Sequence, residues 1–180
     1  KLRLPLDTQF IFTANPEDYT NRGSIITPLK DRIESQILTH YPKTIEIARQ
    51  ITSQEAKLIP EQDEQVEVAD LLAIVLEQIA FNARESEYID EKSGVSARLT
   101  IAGYENLVST AERRMLINRE ERTKARITDF WGVVPAITGK VELVYEGEQE
   151  GAYSVAMSLL GKAIKGAFLD HFPNPEDVRQ

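Results

Sequence analysis

Apolar residues recur at helical spacing through most of the chain beyond Pro42. From Val66 to Arg84, the residues Leu71, Leu72, Val75, Leu76 and Ile79 form a wide apolar stripe, which predicts one long helix facing a core. Val95 to Asn118 predicts another, with Ser96 as its cap and Leu99, Ala102, Leu107, Ala111 and Met115 turned inward. Glu148 to Phe172 predicts a final helix, its inward face running from Ala152 and Val155 to Ala167 and Phe168, stopped by Pro173. A shorter helix is expected from the Thr44 cap to about Gln54, through Ile45, Ala48 and Ile51. The connecting segments are more varied. Gln54 to Gln65 is acidic and holds Pro60, so it reads as a loop or a short broken helix. Glu87 to Gly94 is a polar connector. Ile127 to Ile137 reads as a short helix or turn ended by Pro135, with Trp131 buried. Gly139 to Gly147 puts Val141, Leu143 and Tyr145 on one face of a strand whose partner the pattern does not name.

The first forty or so residues follow another pattern. Phe10, Ile11 and Phe12 predict a short buried strand, because an aromatic and β-branched run bounded by turn residues packs on a sheet. Asn15-Pro16 ends it, since proline cannot donate to a ladder and restricts the residue before it. Asn15 thus becomes a polar amide at a strand tip, the place where open α/β sheets face their ligands. Thr27 and Pro28 suit a helix start that would carry Asp31 and Arg32 to its exposed end. Ile33 to Leu38 predicts a second strand, and His40-Tyr41-Pro42 ends it. The fold class expected is therefore mostly α with a small β part. The domain boundaries expected are 1–42, 43–126 and 127–180.

Composition narrows the function classes. The chain has 180 residues, 42% of them hydrophobic, enough to bury a sizeable core. The net charge of -8 argues against general nucleic-acid binding and against an anionic membrane surface. Arg113, Arg114, Arg119, Arg122, Lys124 and Arg126 are interleaved with Glu112, Glu120 and Glu121, which favours a solvated helix exterior over a nucleic-acid groove. Cysteine is absent, so neither a disulfide framework nor thiolate chemistry is available, and a cytoplasmic setting is expected. No apolar run approaches a membrane span. His40 and His171 read as surface residues, because no second metal-type residue accompanies either, and no metal site is expected. A single strand at the chain start cannot make a sheet, so the chain is expected to be the C-terminal piece of a longer protein. No Gly-x-x-x-x-Gly-Lys-Ser/Thr loop occurs: Val141 follows Gly139-Lys140, and Ala163 follows Gly161-Lys162. No apolar strand ends in Asp-Glu either.

Two further features carry chemistry. Arg98 falls in the first turn of the helix capped by Ser96, where a positive charge opposes the helix dipole but can join backbone amides in gripping a phosphate. Arg22, in a polar loop with Gly23, is a weaker basic candidate and more simply solvated. Phe-Thr-Ala-Asn-Pro-Glu-Asp (Phe12 to Asp18) resembles the sensor 1 motif of AAA+ ATPases. Pro-Leu-Lys-Asp-Arg (Pro28 to Arg32) resembles their arginine-finger motif, and Ser-Gly-Val-Ser-Ala-Arg-Leu-Thr (Ser93 to Thr100) their sensor 2 motif. The branch most similar is that of the magnesium chelatase ATPase subunit and its MoxR-like relatives, over Phe10 to about Asn118.

The resemblance implies the end of an AAA+ α/β core (1–42), a helical lid domain (43–126) and a C-terminal extension (127–180). It implies that Asn15 orients the attacking water and that Arg32 reaches a neighbouring subunit's nucleotide. It also implies that Arg98 touches the γ-phosphate and couples nucleotide state to the lid. The cofactor implied is ATP with Mg2+, whose metal ligands lie outside this chain. The partners implied are a homo-oligomeric ring and a remodelled protein substrate or co-subunit, with no nucleic acid and no membrane. This piece by itself is expected to hydrolyse nothing. Two alternatives stay open: a non-catalytic helical protein-interaction module, and, less favoured, a sigma-factor activator of the same superfamily.

Overall fold

The computed structural model describes residues 8–13, 31–91 and 93–173. The chain divides into two units, Lys1–His40 and Tyr41–Gln180. The second is mostly helical, with a two-stranded parallel sheet.

In chain order the helical unit runs α1 (Ile45–Glu55), α2 (Pro60–Gln65), β1 (Val66–Glu67), α3 (Asp70–Arg84) and α4 (Arg98–Asn118). It continues with β2 (Thr123–Lys124), a 3-10 turn (Ile127–Gly132), α5 (Val134–Thr138), α6 (Tyr145–Glu150) and α7 (Ala152–His171). Thr44 caps α1 as expected: its hydroxyl accepts from the Ile47 amide at 3.3 Å. Pro60 sits in the first turn of α2, where its missing amide hydrogen costs nothing.

The core is continuous. Val75, Leu76, Ile79 and Ala80 of α3 are buried with Leu99, Leu107, Val108 and Ala111 of α4 and with Val155, Ala156, Leu159 and Ala163 of α7. Helices α3 and α7 pack along each other, and α1 lies against both α3 and α4. Residues after Arg126 thus complete the same core as the helices before them. Among the described residues no helix is long and apolar enough to cross a membrane.

Several elements differ from the sequence pattern. Phe10, Ile11 and Phe12, expected as a buried strand, lie outside any strand and are exposed. Ile33 to Leu38 likewise forms no strand, and Ile37 and Leu38 are exposed. A strand needs a neighbour for its ladder, and none of the described residues pairs with either segment.

The helix expected from Val66 begins instead at Asp70. Val66 and Glu67 pair in parallel with Thr123 and Lys124, and the Glu67 carboxylate meets Lys124 Nζ at 2.9 Å. Pro135 opens α5 rather than ending a helix, since it stands in the first turn. Phe130 is buried and its neighbour Trp131 is exposed, reversing the expectation for the tryptophan. A full strand over Gly139 to Gly147 is reduced to one antiparallel bridge, Leu143 with Ile89, and Tyr145 already starts α6. Gly151 separates α6 from α7 at φ 94°, a left-handed conformation that suits glycine, so the last helix starts later than Glu148.

Arg114 departs from the solvated face expected of its basic cluster. Its guanidinium forms a fork on Asp129 at 3.1 and 2.9 Å and also donates to Thr123 Oγ1 and to the Lys124 carbonyl. Asp129, buried, accepts from the Arg126 amide as well. One side chain thereby ties α4 to β2 and to the 3-10 turn. The other basic residues of the segment keep mixed company: Arg122, Lys124 and Arg126 border an open hollow with Glu64, Glu67 and Glu120.

Candidate functional site

The candidate site is the first turn of α4, which carries Arg98. The helix starts at Arg98, three residues later than expected, and its cap position falls on Ala97, which supplies no side-chain cap. Ser96, expected as the cap, stands one residue earlier, with its hydroxyl accepting from the Arg98 amide at 3.3 Å. The Leu99 side chain is fully buried and pins the turn to the core. Arg98 itself is exposed and, among the described residues, forms no ion pair. The pairing with Glu85 or Glu87 that would make it a plain surface residue is not formed. A cation held at a helix N-terminus, with its neighbours fixed, offers a phosphate a charge and backbone donors together.

Two side-chain systems hold this turn. The first comes from the end of α3. Arg84 donates through Nε to the Val95 carbonyl at 3.1 Å and lies over the Tyr41 ring at 4.5 Å. Gly94, at φ 66°, lets the chain pass where a Cβ would collide with the Tyr41 hydroxyl. Burial pushes the Arg84 guanidinium below its ordinary value, and the neighbouring Tyr41 and Glu77 oppose that shift.

The second system is a row of oxygens. Glu77 of α3 is 2% exposed. Its Oε1 meets the Thr52 hydroxyl of α1 at 2.5 Å, and that hydroxyl lies 2.9 Å from the Thr100 hydroxyl of α4. Thr100 in turn donates to the Ala97 carbonyl at 3.1 Å. Thr52 and Thr100 are themselves buried.

Outside the row lies a cleft of about 600 Å³, lined by Glu77, Thr52, Arg49, Asp70, Glu46 and Tyr104 among others. Arg49 and Asp70 form an ion pair at its rim at 2.5 Å, with Asp70 well exposed. Such a pair contributes little by itself.

Burial raises the Glu77 carboxyl above its ordinary value of 4.5; hydrogen bonds from Thr52 and Thr100 and the charges of Arg84 and Arg49 lower it by less. A folded value above the unfolded one means the native chain binds the extra proton. The stability this confers is full below pH 4.5 and is lost as pH rises through the raised folded value. Glu77→Gln, which keeps a donor in place of the proton, is expected to remove this slope. Urea unfolding from pH 4 to pH 8 should show wild type losing stability relative to the variant as pH rises. Parallel curves would show that Glu77 ionises alike in both states.

The three residues singled out by the sequence stand as follows. Asn15 lies outside the described residues, as does Arg22. Arg32 is exposed in a turn of the Lys1–His40 unit. Arg98 heads the longest described helix of the Tyr41–Gln180 unit. The pattern missed Glu77, Thr52, Thr100 and Arg84. A signal for Glu77 was present: it is an acid with Ala73 and Ala80 one turn away on either side, inside an apolar stripe. His40 and His171 are both exposed, and His171 Nδ1 lies 2.9 Å from the Ala167 carbonyl. Among the described residues no group of side chains has the makings of a metal site. Comparison with known proteins finds no matching family model, no matching curated protein and no matching solved structure.

Proposed function

We propose that the chain carries the C-terminal elements of a ring-forming AAA+ ATPase resembling the magnesium chelatase ATPase subunit. ATP hydrolysis at subunit interfaces would drive remodelling of a partner protein, and the MoxR-type chaperones are the nearest variant of that reading. Asn15 orients the attacking water, Arg32 serves the neighbouring subunit's nucleotide, and Arg98 contacts the γ-phosphate from the lid. The observation that carries the proposal is the chain order of these three residues within their motifs, joined to the setting of Arg98. An exposed arginine on a braced helix start has the donor set that a phosphate takes. ATP with Mg2+ supplies the scissile bond and the metal charge, and the metal's ligands belong to elements outside this chain. Phosphoryl transfer asks little of a protein beyond position and positive charge, so an arginine carried on a braced turn is a sufficient contribution from this domain.

Arg98→Ala in the complete protein is expected to lower ATP turnover about tenfold or more, the scale of one lost charge-assisted contact in the transition state. Because Arg98 is exposed, thermal stability should move by no more than about 0.5 kcal/mol. Turnover equal to wild type at saturating ATP, with ATP affinity also unchanged, would remove the nucleotide role and leave a helical interaction module.

A further inference from the structure

The row from Glu77 to Ala97 poses a question of hydrogen count. Its three contacts, at 2.5, 2.9 and 3.1 Å, each need a proton between two oxygens. The Ala97 carbonyl can only accept. Thr100 and Thr52 bring one hydroxyl proton each. With Glu77 ionised, the row is one proton short. Either Thr100 gives up Ala97 to serve Thr52, or two hydroxyl lone pairs face each other at 2.9 Å. With Glu77 neutral, every contact is filled and all point one way: Glu77 donates to Thr52, Thr52 to Thr100, Thr100 to Ala97.

We infer that Glu77 keeps its proton in the folded chain to complete this row, and that its ionisation swings the Thr100 hydroxyl off the Ala97 carbonyl. The device joins α1, α3 and the first turn of α4, so a proton in the cleft is felt one residue before Arg98. Its elements are in place for this. Glu77 is buried among them yet borders the cleft, which gives a proton a route in and out.

The charged groups bearing on Glu77 are Arg84 on its own helix and Arg49 on α1. Glu46, Asp70 and Tyr104 line the same cleft. The α7 helix packs along α3 and brings no charged group to bear on Glu77. Both arginines favour the ionised form, and burial opposes them. The Ala97 carbonyl also accepts the Ile101 amide at 3.1 Å, so α4 survives the swing and only its first turn is loosened.

The test is a carbon-13 NMR titration of the uniformly labelled 180-residue chain. The side-chain carboxyl carbon of Glu77 should titrate above the ordinary value of 4.5. The backbone carbonyl carbon of Ala97 should shift with the same midpoint. Thr100→Val then discriminates by sign. It removes the contact that lacks a proton in the ionised row, and because relief of that shortage outweighs the direct pull of the Thr100 hydroxyl on the carboxylate, the Glu77 midpoint should fall. If Glu77 were raised by burial alone, losing a nearby hydroxyl would leave its midpoint unchanged or push it up, and the inference would be overturned. Should the variant not fold, the wild-type titration decides: an Ala97 carbonyl that stays flat while Glu77 ionises breaks the proposed link.

Discussion

Arg32→Ala in the complete protein is expected to lower ATP turnover by about 10³-fold while leaving ATP binding to the same subunit nearly intact. That is the lower end of the effect of an arginine that neutralises a transferring phosphoryl group in trans. The argument is electrostatic. Charge spreads over the phosphoryl oxygens as the bond to the leaving group lengthens, and in the proposed ring a guanidinium from the next subunit would meet that charge. Arg32 has the properties this needs, being exposed and held in a turn. Mixed rings provide the decisive measurement. Arg32→Ala subunits that bind ATP normally are combined with subunits that cannot bind ATP but keep Arg32. Activity should return in part, because at interfaces between unlike subunits an intact arginine can face an intact nucleotide. If the mixture is no more active than its components, Arg32 does not act across the interface. If Arg32→Ala alone matches wild type, the finger assignment is wrong.

Phe130→Ala is the substitution expected to destabilise the helical unit most. Phe130 is fully buried and stands in the 3-10 turn that packs on α4. Truncating a buried phenylalanine removes its transfer free energy and leaves a cavity, together about 3–5 kcal/mol. For a chain of this size that lowers Tm by roughly 10 °C. Val133, Ile137 and Leu107 share the same core, and close packing lets them fill the void only in part. The control lies next door. Trp131 is 58% exposed, so Trp131→Ala should change stability by no more than about 0.5 kcal/mol. Denaturant unfolding of the two variants gives the comparison, and equal losses would contradict the packing described here.

These two aromatics show how the sequence misleads. Phe130 and Trp131 are adjacent, both large, and equally suited to a core by composition. A short 3-10 turn has no long apolar period to assign them to faces, and only its packing against α4 and α5 makes the choice. The same reason explains Val66 and Glu67. Their apolar neighbours extend the stripe of α3, so the pattern ran the helix through them. Pairing with Thr123 and Lys124, far along the chain, took them into a sheet instead. Arg114 could not be told from the other basic residues around it until Asp129 was brought beneath it. By contrast, Thr44, Pro60, Leu99 and Pro173 act through neighbours a few residues away, and each stands where local rules put it.

Periodicity and capping, which depend on residues within a turn or two, were enough to determine a mostly helical chain, its long apolar stripes and Arg98 at a helix start. The motif order on which the nucleotide proposal rests is also a matter of sequence, but it comes from resemblance to a family and not from periodicity or capping. The tertiary structure alone decided that an acid on α3, a threonine on α1 and a threonine on α4 meet in one row. A hydrogen bond between helices depends on how they cross, and no spacing along one helix contains that angle. The same crossing of helices placed a buried carboxyl one short step from the turn that presents Arg98.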